Sequence, residues 1–154
     1  MAETNTNPQS LRILSIDGGG IKGLTALLVL KRLMRSLMVE AKLTEEPRPC
    51  EMFDLIGGNS TGGLIAIMLG RLGMTADECI QAYEDIGQMV FGQKVPGGIA
   101  GWFRKKKSSG PLYSVDQFQS AIKRVLETKK VDIDSPFDEY STGGCRTYDL
   151  PRQY

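Results

Sequence analysis

Ser60 sits in the pentapeptide Gly58-Asn59-Ser60-Thr61-Gly62, which fits the pattern G-x-S-x-G. The spacing has a physical reason. A serine on a sharp turn between a strand and a helix is lifted clear of the sheet, and the flanking glycines remove side chains that would crowd the turn. The helix that follows aims its positive N-terminal end at any negative charge developing there. Ser60 can therefore act as the nucleophile of an acyl transfer. The plainer use of the same residues is a glycine-rich turn in which Ser60 caps the helix.

A second glycine motif lies upstream. Asp17 to Gly23 (DGGGIKG) contains Gly18-x-Gly20-x-x-Gly23, the spacing of a dinucleotide-binding loop, with an apolar run before it and a helical pattern after it. Two features oppose a nucleotide: Asp17 would stand beside an anionic pyrophosphate, and Glu40 falls inside the first helix rather than at the end of a second strand. The Gly-Lys-Ser/Thr ending of a phosphate-binding P-loop is absent. The alternative is that Gly18, Gly19 and Gly20 offer backbone N–H donors to an oxyanion, with the amide of Thr61 a further donor. Lys22 lies at the next helix N-terminus, where a cation is unfavourable for the dipole. It is either solvated or placed near the oxyanion. The chain has no histidine, which excludes a Ser-His-Asp or Cys-His unit and any zinc site built on imidazole. Any base must be of another type.

These residues require elements that hold them. Leu11 to Ile16 is a short apolar run ending in Asp17 and glycines, which predicts a buried strand. From Leu24 the period changes: Leu27, Leu30, Met34, Leu37, Met38 and Ala41 form one face and Lys31, Arg32, Arg35 and Lys42 the other. That is an amphipathic helix of about five turns closing before Pro47. Met52 to Ile56 predicts a second strand, Gly57 to Gly63 a tight turn, and Leu64 to Leu72 a helix apolar nearly all round and so deeply buried. Two strand–loop–helix units in succession predict an α/β fold with a mainly parallel sheet. Thr75 opens a Thr-Ala-Asp-Glu capping box, with Cys79, Tyr83, Ile86 and Val90 as the stripe behind it. Ser114 and Gln117 start a further helix with the face Phe118, Ile122, Val125 and Leu126.

Composition narrows the classes. The chain has 154 residues, 41% hydrophobic and 24% charged, with 19 basic against 18 acidic residues and a net charge of +1. That is the balance of one soluble globular domain, without the basic excess of a nucleic-acid binder. Cys50, Cys79 and Cys145 form no CxxC pair, and residues 1–10 are polar with no signal-peptide core. A reduced, intracellular, cytoplasmic setting is expected. The apolar stretch Leu24 to Leu30 is far below the ~18 residues of a membrane span. Between the last two helices lies a glycine-rich loop with Trp102-Phe103 followed by Arg104-Lys105-Lys106-Lys107. It is either a solvated loop or a peripheral contact with an anionic lipid surface.

DGGGIKG at 17–23 and FDLIGGNSTGGLIAIMLG at 53–70, in that order and spacing, resemble the patatin-like phospholipases, serine lipid acyl hydrolases. The resemblance runs from about Leu11 to the helix near Glu127 and fades after Cys145-Arg146-Thr147. It implies an α/β/α sandwich, a Ser-Asp dyad working without histidine, and acyl esters of phospholipids or related lipids as substrates, with no cofactor or metal. By position it makes Ser60 the nucleophile and Gly18, Gly19 and Gly20 the oxyanion loop. Lys22 stands where the family usually has arginine, which keeps the charge but loses the guanidinium fork.

The family's base is an aspartate in a later Asp-Gly-Gly or Asp-Gly-Ala motif. The only Asp-Gly here is Asp17-Gly18, and none of Asp77, Asp85, Asp116, Asp132, Asp134, Asp138 and Asp149 precedes glycine. No base is assigned. The expected organisation is a disordered N-terminal tail over residues 1–10, a partial patatin-like phospholipase domain over 11–147, incomplete at its C-terminus, and a divergent tail over 148–154. Three functions stay open: a lipid acyl hydrolase, a nucleotide-binding α/β module on the Gly18–Gly23 loop, and an inactive regulatory fragment.

Overall fold

A computed structural model describes residues 10–91, 115–135 and 145–150. The chain runs β1 (Ile13–Ile16), α1 (Ile21–Glu40), α2 (Pro49–Met52), β2 (Leu55–Asn59), α3 (Thr61–Ala66), α4 (Ala76–Phe91), α5 (Val115–Thr128) and β3 (Arg146–Leu150). The strands form one parallel sheet in the order β1-β2-β3. The predicted α/β class with a parallel sheet is what the chain adopts.

Three local differences from the sequence reading have physical causes. The second strand starts at Leu55, not Met52, because Pro49 opens a short helical turn that Glu51 closes by accepting the Arg48 N–H at 2.9 Å. Gly57 and Gly58 are not part of the turn but extend β2 up to Asn59. The third is Tyr148 to Leu150, read from sequence as the start of a tail. These residues belong to β3 and pair with Gly57, Gly58 and Asn59 of β2. A strand rich in polar residues escapes an apolar-run criterion when its ladder bonds come from the neighbour. Asp54 gathers the starts of all three strands. Its carboxylate accepts the Arg12 N–H at 2.8 Å and meets the Arg12 guanidinium at 3.1 Å, while its carbonyl accepts the Arg146 N–H at 2.9 Å.

The core lies between the sheet, α1, α3 and α4. Leu27, Leu30 and Met34 of α1, Ile56 of β2, Ile65 and Ala66 of α3, and Cys79 and Ile86 of α4 are buried together. Met68 and Leu69 join them from a π-helical turn, Ile67–Arg71, that continues α3. The predicted depth of this helix is therefore observed. Gly70 in that turn lets β3 come close, since a Cβ there would collide with the Thr147 hydroxyl. The Thr75 capping box forms as predicted: Thr75 N–H donates to Glu78 at 2.9 Å, and Glu78 N–H to the Thr75 hydroxyl at 3.2 Å. In α5 the predicted face is largely kept, with Ile122, Val125 and Leu126 half-buried, but it is centred on Ala121 and leaves out Phe118. Phe118 is exposed, and Ala121 is the buried residue. Ser114 and the segment Trp102 to Lys107 lie outside the described residues.

Candidate active site

The parallel register Ile16↔Gly58 carries both glycine motifs to the same edge, at the carboxyl ends of β1 and β2. Ligands of open α/β sheets bind at that edge. Two glycines make the approach possible. A Cβ on Gly58 would run into the backbone of Gly62 and stand 2.7 Å from the Ile16 carbonyl oxygen. A Cβ on Gly62 would collide with that same carbonyl.

Ser60 turns the chain from β2 into α3 with φ 52° and ψ −125°, a left-handed conformation that costs a side-chain-bearing residue of order 1–3 kcal/mol. It is exposed, and although it occupies the N-cap position its side chain makes no capping hydrogen bond. The plainer reading of Ser60 as a helix cap therefore does not hold. Gly20 at the start of α1 has nearly the same backbone, φ 59° and ψ −117°. The two strand-to-helix turns are shaped alike and lie side by side.

The flanks of Ser60 fasten the two loops together. Asn59 Oδ1 accepts the Gly18 N–H at 2.8 Å, and Thr61 Oγ1 accepts the N–H groups of Gly19 and Gly20 at 3.1 and 3.3 Å. On the far side the Tyr83 hydroxyl of α4 donates to the Gly20 carbonyl at 2.9 Å. Burial pushes the Tyr83 phenol up, against a hydrogen bond with Thr61, so it stays protonated at neutral pH. Gly23 explains itself here: a Cβ on it would stand 2.8 Å from the Tyr83 hydroxyl and 3.0 Å from Ile65. Lys22 lays its methylenes over Gly19, with Cδ 3.3 Å from where a Cβ would be.

The structure thus brings Gly18, Gly19, Gly20, Gly23, Gly58, Ser60 and Gly62 into one place. Sequence reasoning missed the side chains of Asn59 and Thr61 as tethers and the hydroxyl of Tyr83. The available signal was a phenol on the apolar face of α4, which must find a partner when buried. β3 ends beside the turn, with Asp149 paired to Gly58 along the backbone.

The described residues thus form a parallel sheet flanked by helices, with a strained serine turn beside a triple-glycine loop. The family described as Patatin-like phospholipase matches residues 14–138. Phospholipase A I of Arabidopsis thaliana is 35% identical over 141 residues, covering 81% of this chain and 10% of that protein. Calcium-independent phospholipase A2-gamma of Homo sapiens is 44% identical over 115 residues, covering 75% and 13%. Patatin-like protein 1 of Arabidopsis thaliana is 34% identical over 122 residues, covering 74% and 28%. The chain belongs to the patatin-like phospholipase family, and its sheet and helices are of that family's α/β/α type. It spans about a tenth of the length of the first two relatives. No helix among the described residues is long and apolar enough to cross a membrane.

Proposed function

We propose that this chain carries the nucleophile half of a lipid acyl hydrolase. Ser60 Oγ attacks the carbonyl carbon of an acyl ester. The carbonyl oxygen becomes an oxyanion facing the Gly18–Gly20 loop, and the alcohol leaves with a proton as the acyl group passes to Ser60. Water then hydrolyses the acyl-serine and restores the hydroxyl. The observation that carries this reading is the Ser60 turn: a residue held at φ 52° and exposed, its hydroxyl spent on no cap, beside a loop rich in N–H groups. Serine reaches such a conformation only where the surroundings over-determine it, and such positions cluster at active sites.

Phospholipid acyl esters are the proposed substrates, following the names of the relatives, with a peripheral contact at a lipid surface in an intracellular setting. The proton of Ser60 requires a base, and we assign none among these residues; by family it is an aspartate. Gly18, Gly19 and Gly20 supply the oxyanion donors. A nucleotide on the same loop has no observation in its favour, since the third glycine is accounted for by Tyr83. The test is a fluorophosphonate probe followed by mass spectrometry of the full chain. Without an assigned base we expect only slow modification at Ser60, absent from Ser60→Ala, and no turnover of a short-chain acyl ester. An unmodified Ser60 counts against the nucleophile, and Ser60-dependent turnover would overturn the missing base.

A further inference from the structure

α1 has two apolar faces. One supplies Leu27, Leu30 and Met34 to the core. The other carries Leu28, Val29, Leu33 and Val39, each between 43% and 73% exposed. The outer face of a surface helix is ordinarily polar, and a run of large apolar side chains along it marks a surface that another molecule covers. The charges around this run are ordered. Ser36, small and exposed, stands at the middle of the face, with exposed Arg32 four residues before it and exposed Glu40 four residues after it. Leu33 and Val39 lie three residues to either side. Arg35 is engaged by Glu46 and Asp77, whereas neither Arg32 nor Glu40 has an ion-pair or hydrogen-bond partner among the described residues. A shallow groove of about 400 Å³ lies between Arg32, Arg35, Ser36, Val39 and Glu40. A face whose charge reverses about its centre, with apolar residues at matching distances, is complementary to itself after half a turn.

We infer that this face of α1 is an isologous docking surface and that its occupant is a second copy of the chain. The two α1 helices lie antiparallel and cross at Ser36, where the small side chain lets them approach. Four residues span about 6 Å of helix, so Arg32 stands level with Glu40 of the second copy. The two-fold axis makes that ion pair twice. Leu33 and Val39 of the two copies are level in the same way. An anionic lipid surface fits this face less well, because it attracts Arg32 and repels Glu40. Ser36 lies about 24 Å along the helix from Gly20, so the copies meet away from the Ser60 turn and the inference goes beyond acyl transfer. One pair of helices is a small interface, which makes the association weak and dependent on concentration.

Sedimentation velocity of the full chain over a rising concentration series tests the association. The wild type should shift from monomer to dimer. Val39→Arg, which sets a cation against Arg32 of the second copy, should abolish the shift. Arg32→Glu and Glu40→Arg should each weaken the dimer about tenfold, since each places like charges together at two symmetric positions. The double variant Arg32→Glu/Glu40→Arg should restore it, a result that damage to the fold would not give. All these positions are exposed, so melting temperatures should stay with the wild type. A residue on the two-fold axis meets its own copy. Under copper–phenanthroline oxidation Ser36→Cys should therefore form a disulfide between the two introduced thiols, located by mass spectrometry. Thr25→Cys should not, its two copies standing about 33 Å apart along the helices. A chain that stays monomeric throughout the series overturns the inference. So does a double variant no better than the single ones, or Thr25→Cys cross-linking as readily as Ser36→Cys. A monomeric chain that sediments with phosphatidylserine vesicles, and ceases to do so in Leu33→Glu, would assign the face to a lipid surface instead.

Discussion

At Gly62 and Gly19 two different reasons for glycine can be told apart. Gly62 has an ordinary backbone and no room, for a side chain there would enter the Ile16 carbonyl. Gly19 has room, its nearest neighbour being the end of a flexible lysine at 3.3 Å, but it holds φ at 134°. Overpacking against fixed backbone costs about 1–3 kcal/mol and also pushes β1 away from α3. A disfavoured φ costs about 1–2 kcal/mol and leaves the neighbours in place. Gly62→Ala should therefore lower the urea midpoint and disturb the Ile16 amide, whereas Gly19→Ala should lower the midpoint with the β1 spectrum intact. Identical chemical-shift changes along β1 in the two variants would remove the distinction. None of this is visible in a motif string, which records that glycine is present and not which atom excludes its alternatives.

α4 is held at its first turn by a carboxylate with several partners. Glu78 closes the capping box with Thr75 and also accepts from Lys129, just beyond α5, at 2.7 Å. Partial burial works against its charge, but the bonds from Lys129 and Thr75 prevail and hold the carboxyl below its usual range. A depressed carboxylate stabilises the fold fully above its unfolded pKa of about 4.3, and the contribution is lost as pH falls through the lower folded value. Glu78→Gln keeps the capping geometry and removes the charge. Its deficit at pH 7, a few tenths of a kcal/mol for a partly exposed pair, should shrink roughly between pH 5 and 3. Urea titrations at the two ends check this, and a gap that widens with acid would reverse the sign. α1 joins the same end of α4 through Lys31 and Arg35, both paired with Asp77.

Across the whole molecule, the legible parts were those with strong periodicity. The α1 stripe, the apolar helical run Leu64 to Leu72 and the Thr75 box could be read because burial and capping act through neighbours three and four residues away. β3 could not, because the partner of Tyr148 is Gly57, far along the chain, and the strand's composition carries no apolar run. The glycines of the site were legible as a pattern. Asn59 and Thr61 occupied the open slots of that pattern, and their roles exist only once β1 and β2 are paired. The turn that carries Met68 and Leu69 is the centre on which sheet and helices meet, both residues being almost wholly buried. Leu69→Ala should cost about 2–5 kcal/mol, a large part of the 5–15 kcal/mol by which domains are stable. A loss under 1 kcal/mol in urea unfolding would show that the centre lies elsewhere.

The matching backbones of Gly20 and Ser60 bear on stability. The fold needs only a residue that tolerates a left-handed turn at the end of β2, and glycine meets that need more cheaply than serine, as it does at the end of β1. Ser60→Gly should therefore raise the melting temperature while removing the proposed nucleophile. A serine at this turn therefore holds a conformation that glycine would hold at lower cost.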